Sequence, residues 1–143
     1  RTRKLASHAK NQKVQGSDFS YEDLSGSDEW EDDYHVELTM QNELQYILSF
    51  SRKLDSDVQY SSMVIKIRKI DYYPTVIDYY DDKGNHHKTL SFEDIKIVDD
   101  FPTAYIMRMQ NHLEGTETTM KVLEMTYNIS FEKGFFSDKN LKK

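Results

Sequence analysis

Residues 15–24 read QGSDFSYEDL and separate a basic start of the chain from a long series of predicted β-strands. Gly16 permits a turn that a residue with a Cβ would resist. Asp18 and Ser20 can hydrogen-bond nearby backbone amides and so favour a turn or a helix start. Because Phe19, Tyr21 and Leu24 are apolar, this stretch predicts a loop that packs down on the fold, with about one helical turn.

The charge changes sign across this loop. Residues 1–14 are basic and contain no acid, which is typical of a strand end with a solvated connector. The alternative is a basic arm that binds an acidic partner. Residues 18–33 are rich in Asp and Glu around Trp30, and they predict a mobile acidic loop within a single domain that spans residues 1–143.

Period-2 alternation, the pattern of half-buried strands, begins after the acidic loop. We expect a hairpin at residues 41–43, with Asn42 at positive φ. A polar connector at 53–60 separates the second strand from the third. The apolar residues that alternate on one side of these three strands are Val36, Leu38, Met40, Leu44, Tyr46, Leu48, Phe50, Met63, Ile65 and Ile67.

Further strands follow, joined by short turns. Pro74 opens the fourth strand, and Gly84 supplies the positive φ of the next turn. The later strands are predicted at residues 87–92, 93–98, 103–111 and 118–131. A tail over 134–141 is expected to dock through Phe135, Phe136 and Leu141. The whole pattern predicts a mainly β fold, a meander of about seven to nine antiparallel strands whose sheet can curve and leave an apolar concave side.

Composition excludes several classes of function. The net charge is -6 and the sequence pI is about 5.3, which argues against a nucleic-acid binder and weakly against docking on anionic lipid. The chain has no cysteine, so disulfides, thiol nucleophiles and Cys-ligated zinc are absent. No apolar run has membrane-spanning length. No signal peptide is present, and because the chain begins at Arg1 we expect one to have been removed or left out.

The sequence offers little for catalysis. It contains neither Gly-x-Ser-x-Gly nor a glycine-rich phosphate loop. His86 and His87 are adjacent, so their side chains should diverge and not share a metal. The acids at 28–33 lack the spacing of a calcium loop. We therefore expect no catalytic residue, no metal and no cofactor.

Four motifs give this chain a family resemblance. The first is residues 16–24, GSDFSYEDL, with Gly16, Ser17, Asp18, Phe19, Tyr21 and Asp23. The second is residues 77–84 followed by Lys88 and Thr89. The third is residues 109–111 with Gly115 and Thr118, and the fourth is residues 136–141. In this order the motifs resemble the LolA-like family of outer-membrane lipoprotein-sorting proteins.

The resemblance implies a strongly curved antiparallel sheet, an unclosed half-barrel that shelters acyl chains. It covers the C-terminal portion of the family's domain, so upstream strands and a helix are expected to be missing. The exposed sheet edge should then pair edge to edge with a second copy, unless upstream residues cover it. The implied function is a carrier in the periplasm of a Gram-negative bacterium, with lipid or lipoprotein acyl chains as cargo and an envelope transporter or receptor as partner.

On this interpretation the lipid-contacting residues are Val36, Leu38, Met40, Leu44, Tyr46, Leu48, Met63, Ile65 and Ile67. Methionines adapt to irregular partners, and Tyr can rim a cavity with its hydroxyl in water. Ordinary core packing would explain both residue types equally well. The candidates outside that set are Met107, Met109, Met120, Met125, Tyr79, Tyr105 and Tyr127.

A second interpretation assigns the same fold to a binding module that transports nothing. Periplasmic regulators similar to MucB and RseB sense lipid and bind a protein partner with such a sheet. In that case an exposed Trp30 within the acidic loop would be the contact. A partner-binding domain beyond Lys143 would distinguish this interpretation, and because we expect none, the carrier is favoured.

Overall fold

The computed structural model describes residues 16–24 and 30–122. They form a seven-stranded antiparallel sheet whose strands lie in chain order. Within these residues β1 and β7 are opposite edges and do not pair, so the sheet is not closed and the expected mainly β, unclosed fold is confirmed. The elements are α1 (Tyr21–Leu24), α2 (Trp30–Asp33), β1 (Tyr34–Gln41), β2 (Gln45–Arg52), β3 (Ser62–Arg68), β4 (Pro74–Tyr80), β5 (His86–Val98), β6 (Phe101–Asn111) and β7 (Thr116–Lys121).

This strand order gives the sheet two distinct ends. Because each strand pairs with the next, the β1–β2, β3–β4 and β5–β6 turns lie at one end, called here the hairpin end; it comprises residues 42–44, 69–73 and 99–100. The opposite end, called the loop end, comprises residues 53–61, 81–85 and 112–115. The two ends differ in polarity, and this difference matters for function.

The turns follow the predicted glycines but not the predicted asparagine. Gly16 and Gly84 have positive φ, as expected. Asn42 does not, and that prediction was wrong. Its side-chain oxygen instead accepts hydrogen bonds from the amides of Leu44 and Gln45, at 2.8 and 3.0 Å. The side chain of Asn42 therefore stabilises the turn by bonding its backbone, with no left-handed residue needed.

β5 is one strand of 13 residues, where the sequence predicted two short ones. Asp94 adopts a φ of 52°, which bends the chain locally. The pairing with β6 nevertheless keeps its register from Glu93 to Ile95. The strand ends in a two-residue hairpin, Asp99 and Asp100, which both have positive φ as the type I′ turn requires.

A register shift between Leu38 and Met40 corrects the predicted alternation in β1. Leu38 pairs with Leu48, but Met40 pairs with Ile47, so Met40 lies on the opposite face from Val36 and Leu38. The hydroxyl of Thr39 donates to the carbonyl of Ile47 within this bulge. A bulge adds one residue and so reverses the order of faces, which period-2 counting does not reveal.

One face of the sheet carries the core. Phe19 from the segment before the sheet is buried against it, together with Tyr34 at the start of β1 and Tyr60 from the β2–β3 connection. Trp30 also packs on this core, with its ring 5.2 Å from that of Phe50. The expectation of an exposed Trp30 was therefore wrong, because the indole is partly buried against the protein's own core.

Several expectations lie outside the described residues. These are the course of the chain over 1–14, the strand beyond position 122, Met125, Tyr127 and the tail at 134–141. The packing of Tyr21 and Leu24 side chains also lies outside this part of the structure. The two described helices are too short and too polar to cross a membrane.

The contrast between two hairpins gives a first prediction. Replacing Asp100 by Gly should stabilise the fold by about 1 kcal/mol, because glycine adopts positive φ without steric cost. Replacing Asn42 by Gly should destabilise it by about 1 kcal/mol, because two turn amides lose their acceptor. Urea unfolding measures both, and stabilisation by both glycines would contradict the description of the Asn42 turn.

Candidate functional site

The core-bearing side of the sheet is a continuous apolar face. A central row runs across five strands through the paired residues Leu48, Ile65, Ile77, Leu90 and Met109. Ile65 and Met109 in this row are fully buried. The apolar face, as the term is used below, consists of Leu48, Phe50, Met63, Ile65, Ile67, Ile77, Tyr79, Leu90, Phe92, Met107, Met109 and Met120.

Burial along this face decreases toward the hairpin end. Ile67 lies one step beyond Ile65 in that direction, and Phe92 lies one step beyond Leu90. Phe92 pairs with Met107, which in turn pairs with Met120. These residues are half-buried, in contrast to the closed central row. Apolar surface is therefore within reach of a ligand on this part of the face.

The loop end of the same face is polar and is covered by the signature loop, residues 16–24. Lys88 follows Tyr79 across the sheet and pairs with Asn111, both of them buried. The ammonium of Lys88 lies 3.0 Å from Oδ2 of Asp23, and both side chains are almost completely buried. A charge removed from water this far requires a partner, so the ion pair fixes α1 on the sheet.

Further hydrogen bonds surround this ion pair. Tyr60 donates its hydroxyl to Oδ1 of Asp23 at 2.6 Å. The amide of Ser20 donates to Asp23, and the amide of Asp23 donates to the hydroxyl of Ser20, a capping box that starts α1. Asp23 therefore holds its own helix and ties it to two distant parts of the chain.

Asp18 and Glu22 complete what we call the loop-docking network. The carboxylate of Asp18 accepts hydrogen bonds from the hydroxyls of Thr116 and Thr118 on β7. That of Glu22 accepts two from the amide of Gln59. The network comprises Asp18, Ser20, Glu22, Asp23, Gln59, Tyr60, Lys88, Thr116 and Thr118. Among the residues that the structure describes, no buried side-chain polar atom lacks a partner.

The buried tyrosines beside this network stay protonated. Burial raises the pKa of Tyr60 far above its usual range, and the adjacent Asp23 carboxylate raises it further. Burial does the same to the pKa of Tyr79, whose ring lies 4.4 Å from that of Tyr60. Both hydroxyls therefore act as hydrogen-bonding groups and not as bases.

The adjacent histidines diverge, as predicted. His87 packs its ring against Tyr60, whereas His86 stacks on Tyr80 and approaches His112. The pKa of His87 is lowered, mainly by burial and then by the ammonium of Lys88. On the other side of the sheet, Thr89 donates to Asp78 and contacts His86 and His112. Within residues 16–24 and 30–122, no three His, Asp or Glu side chains meet in a geometry that could hold a metal.

The structure distributes the predicted lipid-contacting residues over three environments. Met63 and Ile65 are buried in the floor of the apolar face. Tyr46, Leu48 and Ile67 are half-buried on it, and Val36 and Leu38 continue it to the β1 edge with more exposure. Met40 lies on the opposite face, and Leu44 is in the β1–β2 turn rather than in a strand.

Sequence reasoning missed Leu90 and Phe92, and it left Met107, Met109 and Met120 as candidates outside the predicted lipid-contacting set. Leu90, Phe92, Met107, Met109 and Met120 lie on the same face as the set from the first three strands. It also missed the partners of the signature loop. Lys88 alternates with Leu90 and Phe92, so its side chain lies on the same face as theirs. A charge on an apolar face predicts a buried counter-ion. Tyr60 gave no signal, because it follows a polar connector.

The comparisons with known proteins support this fold strongly. A domain from Vibrio parahaemolyticus named for outer membrane lipoprotein sorting has 27% sequence identity and a TM-score of 0.82, covering 96% of this chain and 60% of that one. A DUF1329 family protein from Desulfovibrio piger has 27% identity and a TM-score of 0.83, covering 97% and 59%. The resemblance to lipoprotein-sorting proteins is thereby confirmed.

A LolA superfamily protein from Nitrosomonas europaea shares the fold at 16% identity, with a TM-score of 0.65 and coverage of 86% and 60%. The chain thus spans about 60% of the length of these solved relatives. No curated protein sequence matches it. A family model described as "Uncharacterized protein" matches residues 1–143, so the chain belongs to that family.

The ion pair beneath the signature loop should dominate the stability of this end. Lys88→Met leaves the Asp23 carboxylate buried without its cation and is expected to lower the free energy of unfolding by about 3 kcal/mol. The double variant Asp23→Asn/Lys88→Met should lose less free energy of unfolding than the two single variants lose in sum. Chemical denaturation of the four proteins checks this.

Arg108→Met is the matched control, because its ion pairs with Glu93 and Glu117 are exposed on the other face. It should change stability much less than Lys88→Met. Strict additivity of Asp23→Asn and Lys88→Met would contradict a direct interaction.

His87 should make stability depend on pH. Its pKa is lowered in the folded state, so below the unfolded value of 6.5 the unfolded chain binds the proton more readily. Stability should therefore fall as the pH drops below about 6.5. His87→Gln should remove this slope, whereas His86→Gln should keep it. Urea midpoints measured between pH 5 and 8 test the difference.

Proposed function

We propose that this protein is a periplasmic carrier of a Gram-negative bacterium that shelters the acyl chains of a lipoprotein or lipid on the way to the outer membrane. The observation that carries the proposal is the half-buried apolar surface of Ile67, Phe92, Met107 and Met120 on an unclosed sheet. The fold shared with a domain named for lipoprotein sorting supports it. No catalytic role or cofactor is part of the proposal.

The binding energy would come from area alone. Each methylene removed from water contributes about 0.8 kcal/mol, so ten buried methylenes contribute roughly 8 kcal/mol before the entropy of association is subtracted. Methionine side chains suit this task, because an unbranched thioether adapts to chains of different shape. Met107 and Met120 are adjacent across β6 and β7 and would line one side of the bound chain.

We assign lipid contact to two connected groups. The first is the set predicted from the first three strands, now without Met40, whose side of the sheet differs, and without Leu44, which lies in the β1–β2 turn. The second continues it across the sheet through Phe92, Met107 and Met120. Met63 and Ile65 would form the floor, since both are buried. The loop-docking network closes the opposite end of the face and would keep water out there.

A second candidate is a lipid-sensing or protein-binding module without transport. The observation that favours it is the β1 edge, where every side chain after Tyr34 is exposed. An exposed edge strand is a template for another strand, either from a partner protein or from a second copy in an edge-to-edge homodimer. The sensor and the carrier would share lipid binding but differ in what the β1 edge contacts.

Acyl-chain binding can be tested at both edges of the apolar face. Leu38→Lys and Met120→Lys each place a charge on that face, and we expect either change to weaken binding of a fluorescent fatty acid about tenfold or more. Glu37→Lys and Thr119→Lys are matched controls on the same strands, with side chains on the opposite face. They should leave binding unchanged.

Native mass spectrometry of the protein purified from cells identifies its natural ligand. Lipid at stoichiometric amounts, lost in the two apolar-face variants, is the expected result. No lipid and no fatty-acid uptake would overturn the carrier. If light scattering then showed a dimer above the 17.0 kDa monomer mass, the protein-binding alternative would lead.

A further inference from the structure

Exposed apolar side chains gather at the hairpin end of the sheet. Leu44 is 79% exposed, Ile70 86% and Tyr72 70%. Ile97 and Phe101, which flank the third hairpin, are 62% and 56% exposed. Exposed apolar side chains that cluster in this way mark an interaction surface, whereas single exposed ones are common on any protein.

The hairpins that carry these residues are fixed to one another. The amide of Lys69 donates to the carbonyl of Leu44 at 2.8 Å, which joins the first two hairpins. The amide of Ala104 donates to the hydroxyl of Tyr73 at 3.0 Å, which ties the second hairpin to β6. Tyr72 has a φ of 60°, an unfavourable conformation for a residue with a large side chain. These contacts hold the apolar tips in fixed positions at the hairpin end of the sheet.

Contacts between lysines and tyrosines accompany these tips. The ammonium of Lys69 is 4.8 Å from the ring centre of Tyr46, which stacks in parallel on Tyr72. Near the third hairpin, Lys96 lies 4.5 Å from the ring centre of Tyr105. Exposed apolar side chains next to Tyr and Lys are the combination of residues that the interface of a lipid leaflet favours.

The opposite end of the sheet has a different composition. Its β4–β5 turn exposes Asp82, Lys83, Gly84 and Asn85, and no apolar side chain. Leu54 and Leu113 are its exposed leucines, and they lie in separate connections. The asymmetry makes Leu54 and Leu113 suitable controls for exposure without clustering.

We propose that the hairpin end docks on the surface of a phospholipid bilayer. Leu44, Ile70 and Tyr72 enter the leaflet, and Lys69, whose ammonium donates to Gln41 at 2.8 Å, lies at the level of the headgroups. This goes beyond the carrier function, because a docking surface is defined by the tips and not by the apolar face. It would place the half-buried part of that face next to the membrane.

The charges at this end specify the kind of membrane. Arg68 is neutralised by Asp71, with two short hydrogen bonds. Lys96 is likewise neutralised by Asp94, 3.6 Å away, so the acids Glu43, Asp99 and Asp100 of the hairpin end outnumber its remaining cation, Lys69. The whole chain also has a net charge of -6. Binding should therefore be driven by apolar insertion, prefer zwitterionic lipid and weaken as anionic lipid is added.

Flotation with vesicles of phosphatidylcholine tests the proposal. The wild-type protein should float with them, and the double variant Leu44→Ser/Ile70→Ser should bind about a hundredfold more weakly, because each buried aliphatic side chain is worth about a tenfold factor. The double variant Leu54→Ser/Leu113→Ser removes the same number of exposed aliphatics at the loop end and should bind as the wild type does.

A fluorescent probe locates the contact. Leu44→Trp should shift its emission to the blue and be quenched by brominated lipid, whereas Leu54→Trp should not. The native Trp30 packs on Phe50 and gives a constant background. Fatty-acid displacement measured on the serine variants should be unchanged, which separates docking from cargo binding.

Three outcomes would overturn the docking surface. The wild type could fail to float with phosphatidylcholine vesicles, or the loop-end variant could lose as much binding as the hairpin-end variant. In the third, the hairpin-end serines would change self-association in sedimentation but not flotation, which would identify the patch as a protein contact. Circular dichroism on each variant establishes that it is folded.

Discussion

The ion pair between Lys88 and Asp23 is the interaction on which the rest of the structure depends. A buried ammonium at the end of an apolar sheet face is unfavourable unless a carboxylate meets it there. The carboxylate comes from a four-residue helix that would not be stable alone. Tyr60 completes the arrangement from a third segment. The charge of Lys88 therefore positions the signature loop, and the loop determines which end of the apolar face is closed and which is accessible.

This closure gives the sheet a direction. At the loop end, the face carries the polar residues Asn111, Thr116 and Thr118, and the two threonines donate to Asp18. In the centre, the aliphatic side chains are fully buried. Toward the hairpin end, Phe92 and Met107 are only half-buried. A single-layer sheet must cover an apolar face or use it. Here one end is covered by the protein's own loop, and the other retains surface for a ligand. This gradient in burial follows from the position of the charged residues, because the polar side chains at the loop end can hydrogen-bond to the polar loop that covers them.

Much of the fold could be predicted from the sequence, because period-2 alternation and turn residues are local signals. The turn at Gly84 and the strand that Pro74 opens are examples. Local signals do not count bulges, so Met40 was assigned to the wrong face, and they do not distinguish a left-handed Asn42 from one that bonds its turn through its side chain. The site was predicted less completely. Tyr60 and Lys88 owe their importance to residues 37 and 65 positions away in the chain, and only the folded topology brings these together.

The loop-docking network also determines when the fold can be completed during synthesis. Asp18 meets Thr118, which is 100 residues later in the chain, and Asp23 meets Lys88, which is 65 residues later. Contacts of such separation form late, because the intervening chain must first be ordered. The ribosome therefore releases α1 long before Lys88 exists, and Asp18 lacks its two hydroxyl partners until β7 has been added. Because each strand pairs with the next, the hairpins can form as they emerge, whereas the signature loop can be fixed in place only when the sheet is nearly complete.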